Sequence, residues 1–237
     1  MPRPRRLLIT AGPTHEPIDA VRYLANRSSG RLGVCLAQAA RAAGWSVTLL
    51  LGPGTVPPPA GVRTLRFEST ADLAALLDRH FPSCDVLIMA AAVADYRPRR
   101  TTRSKLPRGR RVLTLRLERT PDLVAACAAR KRPRQRIIGF ALEEQQRLAT
   151  RALRKLARKG LDAIVANPLE TMGADRIRAV VYTAAGQTVI PKKGPSAGTP
   201  APQTKEKFAR WLIRWLDQPR PDARQPWPHT ARSRRRR

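Results

Sequence analysis

Asn26-Arg27-Ser28-Ser29-Gly30-Arg31-Leu32-Gly33 is the stretch of this chain best equipped to hold an anion. Two serines and a glycine stand directly before a helical period. There, backbone N–H groups and hydroxyls are presented at the positive end of the helix dipole. The spacing is neither a P-loop nor GxGxxG, and serine and glycine are also good helix caps. Taken alone, the stretch leaves both readings open. A second basic segment, 97–111, holds eight Lys or Arg and no acid, and reads as a mobile loop. Metal and redox chemistry find less support. Cys35, Cys84 and Cys127 lie far apart, with no CxxC pair, each among Ala, Leu and Val, which marks them as small core residues. His15, His80 and His229 show no ligand spacing, so the sequence identifies no metal ligands.

What must position these segments is an alternation of short aliphatic runs with longer helical periods, the pattern of βαβ units around a parallel sheet. Strands are predicted at 6–10, 46–51, 62–67, 85–91, 112–117, 137–141 and 163–166, with 85–91 the most apolar and therefore central. Segments 180–183 and 188–190 form a hairpin around Ala185-Gly186. Leu32, Leu36, Ala39 or Ala40, and Ala43 recur at helical spacing, closed by Gly44. Thr70 is expected to cap a helix with Leu73, Leu76 and Leu77 inward. Thr120-Pro121-Asp122 opens another, with proline at its first position. A helix over 144–159 buries Ala149, Ala152, Leu153 and Leu156. One from about 204 carries Phe208, Trp211, Leu212, Trp215 and Leu216 as core packing. Open α/β sheets bind ligands at the carboxyl ends of their strands. Four polar segments fall there: 10–30, 91–105, 120–123 and 167–175.

With 237 residues, 42% of them hydrophobic, the chain suits one domain, or one domain with a small appendage. One domain is expected over 1–217, with a Pro- and Arg-rich disordered tail over 218–237. No apolar run approaches the roughly 20 residues that cross a bilayer. The run at Leu7, Leu8 and Ile9 is too short for a signal peptide, so a cytoplasmic protein without a membrane partner is expected. The formal charge is +29; the last twenty residues carry +6 of it, and the remaining +23 is spread mostly as arginine. Such a chain binds polyanions non-specifically and with strong salt dependence. Aromatics make up only 5%, and no nucleic-acid motif organises the charge. An arginine-rich enzyme for anionic substrates is the preferred reading.

Ile9-Thr10-Ala11-Gly12-Pro13-Thr14, Glu16-Pro17-Ile18-Asp19, Val21-Arg22 and Asn26-Arg27-Ser28-Ser29-Gly30 closely resemble the opening of phosphopantothenate–cysteine ligase. The resemblance continues, in order, through 90–97, Pro121-Asp122-Leu123, Gly139-Phe140-Ala141 with Glu143, and 161–167, covering roughly 6–216. It implies a Rossmann-like, three-layer α/β fold with a mostly parallel sheet and a C-terminal hairpin extension used for dimerisation. It also implies a ligase of coenzyme A biosynthesis. In that reaction the 4′-phosphopantothenate carboxylate attacks the α-phosphate of CTP, giving an acyl-cytidylate and pyrophosphate. The amine of L-cysteine then displaces CMP.

By this resemblance, Asn26 handles the acyl-nucleotide, and Lys105, on a flexible flap, promotes its formation. The implied nucleotide contacts are Ala91, Asp95, Thr120, Pro121, Asp122, Leu123, Phe140, Lys155 and Lys159. The two lysines are four apart on one helical face and so can both point at phosphates. Ser28, Ser29, Gly30 and Arg31 would hold the phosphate of phosphopantothenate or of the nucleotide. Mg²⁺ is expected to bridge the triphosphate without a dedicated carboxylate cage. The sequence leaves ATP open as a replacement for CTP. Two departures stand out: the flap reads Lys105-Leu106-Pro107-Arg108 where the family has Lys-Ile-Lys-Lys, and Thr120 replaces an asparagine. A first strand near residue 6 leaves no room for the flavin-binding decarboxylase domain, so a stand-alone ligase without FMN is expected. Two alternatives remain: a nucleotide-binding relative that has lost catalysis, and a basic nucleic-acid-binding protein on an α/β frame.

Overall fold

The computed structural model describes residues 4–109, 112–186, 188–191, 194 and 200–218. Eight strands form one sheet: β1 (Arg6–Ala11), β2 (Ser46–Leu51), β3 (Arg63–Arg66), β4 (Val86–Met89), β5 (Arg136–Glu143), β6 (Ala163–Pro168), β7 (Val180–Thr183) and β8 (Thr188–Val189). Their order is β3-β2-β1-β4-β5-β6-β7-β8. The first six run parallel, and β7 and β8 extend the sheet antiparallel. This is the doubly wound order, with its reversal between β1 and β4. The strand expected at the centre is β4, whose four residues are all buried. The expected hairpin forms the edge of the sheet as β7 and β8.

Helices α1 (Arg31–Ala42) and α5 (Lys205–Asp217) cover one face of the sheet. Helices α2 (Thr70–His80), α3 (Leu123–Ala129) and α4 (Leu148–Arg158) cover the other. In α5, Phe208, Ala209, Leu212, Ile213 and Leu216 are buried at helical spacing, and Trp211 and Trp215 pack at the margin of that core, as the sequence implies. Close approach of α1 to the sheet depends on Gly33, where an added Cβ would lie 2.3 Å from the Ala11 Cβ. The three cysteines are buried. No helix among the described residues is long and apolar enough to cross a membrane.

Four local expectations need correction. Ser69, not Thr70, caps α2: its hydroxyl accepts from Asp72 N–H while Asp72 reaches back, and Thr70 turns inward. Pro121 lies before the cap of α3, which is Asp122. The 144–159 helix starts as a 3₁₀ turn at Gln145–Arg147, and the buried row is Leu148, Ala152 and Leu156, leaving Ala149 and Leu153 exposed. Segment 112–117 is not a strand. Val112 and Leu113 are exposed, and pairing begins only at Leu117–Arg119, against Tyr96–Pro98. Residues 219–237, almost all of the expected tail, and 110–111 of the basic loop lie outside the described residues.

Candidate active site

Beyond β1 and β4 the two chains continue side by side. Ala90 N–H donates to Thr10 O (3.2 Å), Ala92 N–H to Gly12 O (2.9 Å), and Thr14 N–H to Ala92 O (3.3 Å). Small buried side chains satisfy the remaining backbone donors, as an interior requires. The Thr10 hydroxyl accepts from Ala91 N–H (3.1 Å) and that of Thr14 from Ala94 N–H (3.0 Å). Buried Glu16 accepts from the Thr70 N–H (2.9 Å) and hydroxyl (2.6 Å). The Thr10-to-Glu16 run is therefore scaffolding that fixes the two switch-point loops to each other. Asn26 rests on that layer, its amide nitrogen donating to Val93 O (2.9 Å) and Ala92 O (3.4 Å).

A cleft of about 950 Å³ opens above this layer, across the carboxyl ends of the parallel strands. Asn26, Ser28, Ser29, Gly30, Arg31, Ala91, Asp95, Thr120 to Leu123, Phe140, Lys155 and Lys159 all line it. Residues up to 133 positions apart in sequence are thus gathered at one crevice, where this strand order leaves room for a ligand. Among the described residues, seven Arg or Lys line the cleft against two Asp, a charge balance suited to an anion with several phosphates. Gly30, at φ +73°, turns the chain into α1; its would-be Cβ lies 3.1 Å from Gly12 N. The α1 N-cap is that glycine, with no side chain to offer, and the first turn carries no acid. The Ser28 and Ser29 hydroxyls lean on Gly30 N–H and Arg31 N–H at 3.4 Å, contacts weak enough to yield to a ligand.

The two lysines expected to point freely at phosphates are both engaged. Lys155 pairs with Glu143 at 2.7 Å, beside Arg151 at 2.9 Å, and Lys159 pairs with Asp122 at 3.0 Å. Burial by itself would raise the Glu143 carboxyl, but hydrogen bonds from Lys155 and Arg151 outweigh it and hold the pKa below the ordinary value. Asp122 also caps α3 through Ala125 N–H (3.2 Å). The exposed Asp95 carboxylate has no partner among the described residues.

Lys105 is the one candidate that the structure places outside the cleft lining. Its neighbour Leu106 is fastened at both backbone groups: its N–H donates to Asp19 (3.1 Å), and its C=O accepts from Arg22 (3.0 Å). The Arg22 guanidinium holds the buried Asp19 carboxyl far below the usual carboxylate range. The basic loop is therefore not free along its whole length. It springs from the Tyr96–Pro98 and Leu117–Arg119 ribbon and is latched at Leu106. Sequence reasoning put Asn167 at this end of the sheet without a role and missed Arg158 and Lys205; all three line the cleft, and the latter two sit on helices with no motif. Among the described residues, no group of three or more His, Cys, Asp or Glu is placed to hold a metal ion.

Residues 3–218 match the family model for the DNA/pantothenate metabolism flavoprotein C-terminal domain. Among curated proteins, the chain is 44% identical over 171 residues to a Cysteine/Cysteine sulfinic acid decarboxylase from an unknown prokaryotic organism. That match covers 72% of this chain and 47% of that protein. It is 42% identical over 171 residues to the Coenzyme A biosynthesis bifunctional protein CoaBC of Vibrio cholerae, covering 71% of this chain and 43% of that protein. The chain thus spans less than half the length of these relatives. Among solved structures, it superposes on the C-terminal domain of a CoaBC protein with a TM-score of 0.74 and 33% identity, covering 90% of this chain and 93% of that one. It superposes equally, with a TM-score of 0.74 and 25% identity, on the DNA/pantothenate metabolism flavoprotein from Streptococcus pneumoniae, covering 90% and 98%.

Proposed function

This chain belongs to the family of the DNA/pantothenate metabolism flavoprotein C-terminal domain, and from that premise we propose that its cleft joins 4′-phosphopantothenate to L-cysteine at the expense of CTP, in coenzyme A biosynthesis. The observation that carries the proposal is the convergence of the site residues on one cationic crevice at the switch point. In the first step a carboxylate oxygen of phosphopantothenate attacks the α-phosphorus of CTP. The bond to the bridging oxygen breaks, and pyrophosphate leaves with that electron pair. In the second, the cysteine amine attacks the acyl carbon, CMP leaves with the acyl oxygen's bonding pair, and the amine loses a proton.

Both steps bring anions together, so the residues' main task is placing positive charge and N–H donors. Ser28, Ser29, Gly30 and Arg31 offer hydroxyls, backbone N–H groups and a guanidinium to a phosphate at the start of α1. Lys155 and Lys159 exchange Glu143 and Asp122 for phosphate oxygens when nucleotide arrives. Thr120 to Leu123, Ala91 and Phe140 shape the nucleotide's slot, and the threonine at 120 leaves CTP against ATP to be measured. Asn26 handles the acyl-nucleotide from its perch on Val93 O, and an acyl oxygen would compete with that carbonyl for its N–H. Lys105 acts once the flap leaves its latch at Leu106 and closes over the triphosphate. Mg²⁺ would be held mainly by the triphosphate, with Asp95, whose carboxylate has no partner among the described residues, as the protein's contribution; it would supply further charge neutralisation. Neither step transfers electrons, so the reading needs no FMN. It places the protein in the cytoplasm, with one domain ending near residue 217. The β7–β8 edge suits a homodimer contact, because an unpaired edge strand is a template for a second copy.

The test is pyrophosphate release by the purified protein with Mg²⁺, 4′-phosphopantothenate and either CTP or ATP, with and without cysteine. Lys105→Ala is expected to slow the first step, and Asn26→Ala the second, each by about 10²-fold. A folded, nucleotide-binding protein that releases no pyrophosphate with either nucleotide would sink the ligase reading in favour of a non-catalytic relative.

A further inference from the structure

Among the cations of the cleft, Lys205 stands apart. It is the first residue of α5, only 7% exposed, yet it lines the cleft. Among the described residues, its ammonium meets no acceptor at hydrogen-bond or ion-pair distance. The stem is covered, but the ammonium itself is not sealed: the fully enclosed, unpartnered side-chain nitrogen among the described residues is Arg6 Nε, so the Lys205 amine opens onto the cleft it lines. The nearby carboxylates are already committed. Arg31, the first residue of α1, pairs with Asp175 and, at 3.4 Å, with Glu206. Glu206 also accepts from the Cys35 thiol at 3.6 Å. The Lys205 N–H donates to Asp175 O at 3.3 Å.

These contacts pin the start of α5 to the start of α1, so two long helices bring their positive ends to one end of the cleft. Burial first, and then the neighbouring Arg31, push the Lys205 amine below its ordinary pKa, against the opposing pull of Cys35, Asp175 and Glu206. Ile177 and Met172 line the same region, and apolar walls strengthen a charge interaction made there. An anion with several oxygens would complement this arrangement of cations and N–H donors.

We propose that Lys205 is a cation of a phosphate subsite completed by the N–H groups at the start of α1 and the hydroxyls of Ser28 and Ser29. The subsite stands on the cleft alone. Its occupant, the triphosphate of the nucleotide or the phosphate of phosphopantothenate, rests on the ligase reading. Titration calorimetry of the full chain and of Lys205→Met with inorganic pyrophosphate, CTP and 4′-phosphopantothenate tests it. The variant is expected to lose at least tenfold in affinity. Loss for pyrophosphate and CTP together identifies the triphosphate; loss for phosphopantothenate alone identifies the substrate phosphate. Unchanged affinity for all three in a folded variant, or a wild-type chain that binds none of them, overturns the subsite.

Should Lys205→Met not fold, the wild-type chain serves. A bound phosphate ligand must protect Lys205 from reductive dimethylation, read by peptide mass, and labelling unaffected by all three saturating ligands overturns the subsite. Turnover separates the two proposals. A wild-type chain without ligase activity whose pyrophosphate affinity still depends on Lys205 loses the ligase reading alone. A Lys205→Met chain that turns over with unchanged KM for both reactants loses the subsite alone.

Discussion

Glu143 does two things at the cleft wall: it positions Lys155, and it stores acid-sensitive stability. Its carboxyl is held below the ordinary value of 4.5 in the folded chain. A depressed folded-state pKa contributes stability that is complete above about pH 4.5 and is lost as the pH falls through the folded value. Melting temperatures measured between about pH 6 and pH 3 should therefore fall less steeply for Glu143→Gln than for the parent. Parallel acid limbs would remove Glu143 from the account. The thiols supply a second prediction at this scale. Burial pushes Cys35 up to about 11 and Cys84 up to about 12, and raises Cys127. Since the thiolate is the reactive species, a disulfide reagent at neutral pH should modify all three cysteines only after denaturation. Rapid modification of the native chain would show a more open structure.

At the scale of elements, the start of α1 is held by backbone proximity. Gly33 lets the helix lie against β1, and Gly33→Ala forces a Cβ onto Ala11. Urea unfolding should register a loss of about 1–3 kcal/mol, the usual cost of overpacking. On the same face, Phe208 is fully buried, and Phe208→Ala should cost about 3–5 kcal/mol. A negligible change in either would mean that α1 and α5 do not dock as described. Element identity was legible because the aliphatic runs and helical periods belong to the chain itself. The phase of α4 was not. Leu148, Ala149, Ala152, Leu153 and Leu156 form two adjacent rows at i, i+4 spacing, and either could face inward. Contact with β5 and β6 selects the row of Leu148, Ala152 and Leu156. Segment 112–117 misled for a related reason: alternation needs a partner strand, and Tyr96–Pro98 is only three residues long.

For the whole molecule, the charge of +29 and the gathering of cations at one cleft are separate matters. Among the described residues, seven of the chain's 46 Lys and Arg line the cleft, so the net basic charge does not mark the site, and such charge attracts polyanions non-specifically. Seven arginines lie beyond residue 217. Deleting 218–237 should leave the turnover proposed for the cleft unchanged. It should also flatten the salt dependence of binding to duplex DNA, lowering the slope by up to about 6 if every tail arginine reaches a phosphate. Loss of turnover at saturating substrate would make the tail part of the enzyme.

Periodicity and contiguous motifs are carried by neighbouring residues, so the amino-acid order alone sufficed for the parallel α/β frame, the central strand, the edge hairpin and the family. It also marked 14 of the 36 described residues that line the cleft. Only folding settles who holds whom: Lys155 with Glu143, Lys159 with Asp122, Leu106 with Asp19 and Arg22, and Lys205 with no acceptor for its ammonium among the described residues. Pairings between residues 12 to 87 positions apart, and the burial of a helix's first lysine, arise only when the strand order brings the loops to one crevice. No local pattern in the chain encodes that distance.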